Sequence, residues 1–281
     1  MSKIKEIMGV PAFVENQNWE HIIKRQHCPY LGKKCLKTRK SNPGVAIGTC
    51  TVDYGSSKNG VIICPHRLLE RKQIFLDCIH LLQTHVPGNE LHIVPEVSIP
   101  GGSVDYFLVS TDSKRKVKDF VGIELQTMDT TGSVWSERQK LLSEIGLPVG
   151  RAVKEKPYGM NWKMTAKTIL VQLHHKISTF EGLNKHLVLV VQDCLVDYIK
   201  KEFAFSHVST DARLGDSMHI HSYDLNAEEH GYKLSLSHRY STDDEGIAML
   251  LGLNTNANVE FEEIAKQLES KISDSTLLSF L

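Results

Sequence analysis

Ser103-Val104-Asp105-Tyr106-Phe107-Leu108-Val109 and, further on, Phe120-Val121-Gly122-Ile123-Glu124-Leu125-Gln126-Thr127 read as the two arms of a β-hairpin. Both arms are rich in β-branched and aromatic residues, and the connection Thr111 to Lys118 is polar and charged. A turn centred between Lys114 and Arg115 sets Asp105 opposite Glu124 on one face of the sheet. Directly opposed side chains have Cβ atoms about 4.5–5.5 Å apart, so the two carboxylates repel and destabilise the pairing. A divalent cation is the simplest compensation. Gln126, two residues beyond Glu124, points to the same face because strand side chains alternate. The plainer alternative is a solvated face on an edge hairpin. Against it, Val121, Ile123 and Leu125 form one apolar face while Phe120 and Gly122 share the carboxylates' face, which is therefore not wholly wet. Partly desolvated carboxylates are where metal binding or a shifted pKa arises.

The chain has 281 residues, 41% hydrophobic and 23% charged, enough for one large domain or a core with an appended module. No apolar run reaches the roughly 18 residues that span a bilayer. Met1 to Val10 has lysines but no apolar stretch or cleavage site, so no secretory signal is expected and the reading is a soluble intracellular enzyme. Net charge is zero, yet residues 1–72 hold 13 Lys/Arg against 5 Asp/Glu, leaving the remainder about −8. Lys33, Lys34, Lys37, Arg39 and Lys40 form part of that basic excess. A solvated surface explains such a run, but a one-ended asymmetry points to nucleic acid.

Cys28, Cys35, Cys50 and Cys64 fall in the same basic window, spaced C-x6-C-x14-C-x13-C and punctuated by Pro and Gly. The window has too little apolar periodicity to bury its own core, and a tetrahedral thiolate metal site supplies the missing stability. Unrelated reduced thiols or disulfides are the alternatives. The absence of an export signal disfavours disulfides. Cys78 and Cys194 sit in apolar contexts and read as core.

The other elements predict an α/β arrangement. Pro65 to His85 has Leu68, Leu69, Ile74, Phe75, Cys78, Ile79, Leu81 and Leu82 at helical spacing. Leu91 to Ile99 reads as a strand closed by Pro100-Gly101-Gly102. Asn161 to Phe180 carries Met164, Thr168, Val171, Gln172 and His175 on a helical repeat, His186 to Val191 is a buried strand, and Val196 to Phe203 a short helix. Segments 217–225 and 232–240 alternate, and 257–271 reads as a final amphipathic helix. The order implies a mixed sheet that begins as a meander and gains a later strand by a helical crossover.

A helix, a meander with Asp on its second strand and Glu-x-Gln on its third, then a helix and a strand resembles the core of the PD-(D/E)XK nucleases. Glu124-Leu125-Gln126-Thr127-Met128-Asp129, continuing to Gly132-Ser133, resembles more specifically a block of the NotI restriction endonucleases. Cys28-Pro29-Tyr30, Gly48-Thr49-Cys50 and Cys64-Pro65-His66-Arg67 resemble that family's four-cysteine metal module. The likeness covers roughly residues 25–200. It implies a restriction-endonuclease-like mixed sheet flanked by helices, divided as an arm and cysteine module (1–65), a nuclease core (66–205) and a β/α extension of the same compact unit (206–281).

By that resemblance Asp105 and Glu124 hold a catalytic magnesium, with Glu96 as a further acidic residue and Glu90 its nearby competitor. Gln126 stands where most of the superfamily has lysine, and an amide supplies neither positive charge nor a base. The cysteine quartet binds structural iron by the resemblance, while the residues themselves leave iron or zinc open. The implied reaction is hydrolysis of a double-stranded DNA phosphodiester to a 5′-phosphate by a type II, sequence-specific endonuclease. Backbone contacts are expected from Lys33, Lys34, Lys37, Arg39, Lys40, Arg67 and Arg71. Guanine readout in a GC-rich palindrome is expected among Arg138, Lys140, Arg151, Lys154 and Lys156, because Arg and Lys pair bidentately with guanine. Cutting both strands of a palindrome implies a homodimer, with Val134 to Ile145 or the C-terminal helix at the interface. A cognate DNA methyltransferase is the implied functional partner and a prokaryotic cytoplasm the implied location. His219 and His221 read either as metal ligands or as polar residues turned outward from a strand. The competing functions are a metal-knuckle nucleic-acid-binding protein without catalysis, and a nuclease of repair or defence without sequence specificity.

Overall fold

Six strands build the central sheet: β1 (Glu90–Ile99), β2 (Gly102–Thr111), β3 (Val117–Leu125), β4 (His186–Gln192), β5 (Met218–Glu228) and β6 (Gly231–Thr242). They lie side by side in chain order, antiparallel from β1 to β3 and from β5 to β6, and parallel across β3, β4 and β5. This arrangement comes from a computed structural model, which describes residues 2–55, 59–149, 158–253, 266 and 269–270. It is the mixed α/β sheet expected of a restriction-endonuclease-like fold. The strands β5 and β6, which lie beyond the residues covered by the resemblance, complete the sheet. Arg151, Lys154, Lys156 and most of the final amphipathic helix lie outside the described residues.

Parallel neighbours need crossover connections. Here β3 reaches β4 through α1 (Trp135–Glu144) and α2 (Trp162–Gly182), and β4 reaches β5 through α3 (Asp193–Glu202). A short α4 (Asp244–Leu250) follows β6. Every residue of β4 is buried, as its unbroken His-Leu-Val-Leu-Val-Val run demands of a strand covered on both faces. One face packs against α2 and α3 through Phe107, Leu187, Leu189, Ile169, Leu173 and Phe180. The other packs against the segment after Cys64 through Leu108, Val121, Ile123, Leu68, Ile74 and Phe75.

Two helical expectations change. The segment 65–85 is not one helix but a 3-10 stretch Pro65–Lys72, a single turn Gln73–Leu76 and a 3-10 turn Ile79–Leu81. Glu70 leaves helical geometry, and Arg71 and Lys72 adopt left-handed φ of 51° and 56°. Arg67 and Glu70 explain the break, because both are drawn away from the axis into ion pairs and backbone contacts. In α2 the buried stripe is Thr165, Ala166, Ile169, Leu170, Leu173, Lys176, Ile177 and Phe180, while Met164 and Val171 of the expected face are exposed. The apolar residues permit either phase, and the aromatic contacts of Phe180 with Phe107 and Phe120 select this one.

The N-terminal region adds a four-stranded sheet of Val10–Pro11, Ile4–Ile7, Thr49–Val52 and Val61–Ile62, in that order. Two small hairpins lie beside it, His27–Cys28 with Lys33–Lys34 and Thr38–Arg39 with Asn42–Ala46.

Candidate active site

The β2–β3 register runs from Ser110 opposite Asp119, just past a shift at Thr111, to Tyr106 opposite Ile123, and Asp105 and Glu124 stand one step beyond its last pair. The turn is built on Asp112, whose carboxylate accepts from the Lys114 and Lys116 amides while Arg115 takes the left-handed φ of 58°. Asp105 is half-buried, and its Oδ2 accepts from the Leu125 amide at 2.8 Å. Glu124 is 5% exposed. Gly122 leaves room on the same face for α2, since a Cβ there would stand 2.4 Å from Phe180 Cζ.

That burial exposes a residue the sequence reading missed. Lys176 of α2 donates from Nζ to Glu124 Oε1 at 2.6 Å, and it too is nearly sealed from solvent. Burial pushes the Glu124 carboxyl up to about 7, against the pull of Lys176 and with a further push from Asp105. Close approach of α2 depends on the β1–β2 turn. A Cβ on Gly101 (φ 93°) would lie 1.9 Å from the His175 carbonyl oxygen, and one on Gly102 would lie 3.1 Å from Lys176 Cε. Thr179 Oγ1 donates to the Pro100 carbonyl at 3.1 Å and fastens helix to turn.

Gln126 is half-buried, with its amide nitrogen donating to the Thr127 carbonyl at 2.8 Å. It borders a cleft of about 380 Å³ that also involves Leu36, Lys37, Cys64, His66 and Asp129. Glu96 is not gathered with the pair. Its register position is opposite Asp105, between the pairs Val104–Val97 and Tyr106–Pro95, but a left-handed φ of 52° kinks the strand there. Its charge is felt instead at Tyr106, whose ring meets Phe75 on the other side of the sheet.

Cys28, Cys35, Cys50 and Cys64 are all buried and free of disulfides. Burial pushes the Cys28, Cys50 and Cys64 thiols up, and each is raised further by at least one other thiol of the quartet, Cys35 among them. Backbone amides oppose this by donating to sulfur: Leu31 and Tyr30 to Cys28, Gly9 to Cys50, and His66 to Cys64. Such bonds favour thiolate, the form a metal takes. Among the described residues, however, no three His, Cys, Asp or Glu side chains are grouped to hold a metal ion. The quartet shares one neighbourhood with the right donor chemistry but is not a closed cage.

A family profile described as restriction endonuclease NotI matches residues 27–214. The chain belongs to the NotI restriction endonuclease family. The matched span takes in the four cysteines, both carboxylates, Gln126 and Lys176. Membership in the NotI family makes the chain a nuclease, a hydrolase whose substrate is double-stranded DNA. A comparison with curated proteins found no match. No helix among the described residues is long and apolar enough to cross a membrane.

The expected DNA contacts of this NotI-family chain separate into two groups. Lys33, Lys34, Lys40 and Lys140 are exposed. Arg39 is half-buried with its guanidinium 4.5 Å over the Trp135 ring, and Lys37 donates to the Ile63 carbonyl at 2.8 Å. His66, a second residue missed from sequence, links this basic run to the acidic hairpin. Burial lowers its pKa, Lys33 and Lys37 lower it further, and Asp105 pulls it back up.

Arg67 and Arg138 require correction, because neither faces solvent. Arg67 is 0% exposed, donates to Glu6 at 2.9 Å, pairs with Glu70 at 3.1 Å and bonds the Tyr232 carbonyl. Arg138 is 3% exposed, donates to the Ile47 carbonyl at 2.8 Å and lies over Trp135. Arg67 fastens the N-terminal sheet to the core, and Arg138 ties α1 to the connection just before its Thr49–Val52 strand. Arg67→Met is therefore expected to cost about 3–5 kcal/mol in urea unfolding, through an unpaired buried Glu6. DNA affinity of the folded fraction, read by fluorescence anisotropy, should stay unchanged.

His219 and His221 also differ from both readings. They are buried in the core, 1% and 0% exposed, beside His186 and His80, and they belong to no metal-holding group among the described residues. The β5 face they occupy is covered by the segment after Cys64, so they are turned inward.

Proposed function

We propose that this chain is a type II restriction endonuclease that hydrolyses double-stranded DNA at a GC-rich palindrome, using magnesium and acting as a homodimer. The observation that carries the reading is the placement of Asp105 and Glu124 one step beyond the Tyr106–Ile123 pair, close enough to feel each other's charge, beside a cleft reached by the basic run of the cysteine module. The donor set suits the ion, since magnesium is commonly held by one or two carboxylates and otherwise by waters and substrate phosphates. Bound there, it polarises the phosphate and acidifies the attacking water.

Asp105 and Glu124 hold that ion and its charge against the scissile phosphate. The Leu125 amide keeps Asp105 aimed, and Gln126 orients a water or a phosphate oxygen at the mouth of the cleft. The water oxygen bonds phosphorus and the water gives a proton to solvent, the P–O3′ bond breaks and O3′ takes a proton from solvent, and the products are a 5′-phosphate and a 3′-hydroxyl. Lys33, Lys34 and Lys40 follow the DNA backbone, where they contribute affinity but no sequence information. Among the described residues, Lys140 is the exposed candidate for guanine readout. A palindrome matches a two-fold dimer, and a methyltransferase of the same specificity protects the host's copies of the site. The four cysteines hold iron or zinc as a brace for the lysine-bearing hairpin, and metal analysis of the purified protein separates the two.

Incubation of the protein with a large DNA and magnesium, followed by sequencing of the ends, tests the reading. Discrete fragments whose ends share one symmetric sequence are expected. A smear with random ends would replace it with a nuclease lacking specificity, and intact DNA at every magnesium concentration would remove the catalytic assignment.

A further inference from the structure

We propose that Lys176, delivered from α2, supplies at the scissile phosphate the positive charge that Gln126 lacks, an inference that rests on the nuclease reading above. Three observations carry it. First, the strand position two residues after Glu124 holds an amide already engaged with the Thr127 carbonyl, so no charge comes from the strand. Second, the Lys176 ammonium meets Glu124 at 2.6 Å on the carboxylates' own face of the sheet, and is 6% exposed. A buried ion pair of this kind is often no more stabilising than two apolar side chains of similar volume, so stability alone gives little reason for a lysine in a stripe that is otherwise uncharged. Third, the backbone is shaped to admit it. Gly101 and Gly102 let α2 settle onto the β1–β2 turn at a spacing where a Cβ would collide with His175 or crowd the Lys176 side chain.

In this arrangement Lys176 exchanges no proton. Its N–H groups hydrogen-bond a non-bridging phosphate oxygen as the water attacks, and the charge stays on Nζ while the P–O3′ bond breaks. The compact ammonium on a flexible stem turns from Glu124 to the phosphate without movement of the helix. The interaction is strongest when negative charge peaks on the phosphate, so its loss falls on rate rather than on ground-state binding.

The test uses Lys176→Gln, which keeps a hydrogen-bond donor beside Glu124, and the double variant Gln126→Lys/Lys176→Gln, which moves the lysine to the strand. Single-turnover cleavage is measured in magnesium, and DNA affinity in calcium. Lys176→Gln is expected to cut at least about 100-fold more slowly, as for loss of one donor to a developing anion, with affinity within about threefold. The double variant should recover at least about tenfold in rate. A Lys176→Gln rate within threefold of the unmodified protein overturns the proposal. So does a folded double variant no faster than the single, which would make Lys176 a partner of Glu124 in folding only. Where the single variant does not fold, the folded double variant is compared with the unmodified protein: a rate within about tenfold of it supports the proposal, and a rate slower than that overturns it. Absence of cleavage by the unmodified protein would instead remove the nuclease reading itself.

Discussion

Glu124→Gln is expected to reduce magnesium-dependent cleavage at least about 10³-fold, the several kcal/mol of charge stabilisation that a correctly held metal supplies. DNA affinity measured in calcium should change by less than about tenfold. Glutamine is the informative replacement because Lys176 donates to the Glu124 carboxylate in a nearly sealed environment. An amide oxygen still accepts that bond, so the fold keeps its hydrogen-bond partner. Alanine removes the acceptor, strands a buried ammonium and costs about 3–5 kcal/mol. A loss of activity in Glu124→Ala would thus mix chemistry with unfolding, and urea titration of both variants separates the contributions. Cleavage by folded Glu124→Gln at the unmodified rate would show that the metal is held elsewhere.

His221→Leu should stabilise the protein, and increasingly so in acid. The His221 ring is fully buried, stacks on His80 at 6.1 Å and sets Nδ1 3.8 Å from Cys78 Sγ, while its Nε2 has no hydrogen-bond partner among the described residues. Burial, then Arg239, His219 and His80, push its pKa down to about 3 from 6.5. Below pH 6.5 the unfolded chain takes up a proton that the folded ring refuses, so the native state loses stability as pH falls from 6.5 toward 3. Leucine abolishes that uptake. The advantage of His221→Leu should grow by about 1.4 kcal/mol per pH unit, or roughly 2.7 kcal/mol between pH 7 and pH 4.5. Urea midpoints at those two pH values test it, and an advantage that does not change with pH would show that the ring is charged in the native state.

The hairpin is legible because its two arms alternate cleanly; the shift between Ser110 and Thr111 is not, but beyond it the pairs from Ser110–Asp119 to Tyr106–Ile123 keep the expected register, one step short of Asp105 and Glu124. The β4 strand was legible from its unbroken apolar run. Lys176 was not, because the α2 periodicity was read through Met164, Val171 and His175. The buried stripe is displaced from that face, and Lys176 belongs to it at i+3 from Leu173 and i+7 from Ile169. A lysine seven residues after Ile169 and one before Ile177 is the signal that could have found it. Arg67 and Arg138 were misplaced for a different reason. A basic residue in a basic window looks solvated, and only the tertiary approach of Glu6 to one and the Ile47 carbonyl to the other reveals a buried partner. The break after Arg67 was equally silent, since Leu68, Leu69, Ile74 and Phe75 are buried whether or not the helix continues.

The kink at Glu96 matters beyond the position of one carboxylate. The strand β1 is an outer edge of the central sheet, and its exposed Leu91 and Val94 would make an adhesive border if the backbone beside them were straight. Pro95 offers no N–H, and Glu96 turns the chain left-handed with a charge attached, so an incoming strand meets neither a continuous ladder nor an uncharged surface. This edge of the sheet that carries Asp105 and Glu124 is thereby guarded against edge-to-edge polymerisation.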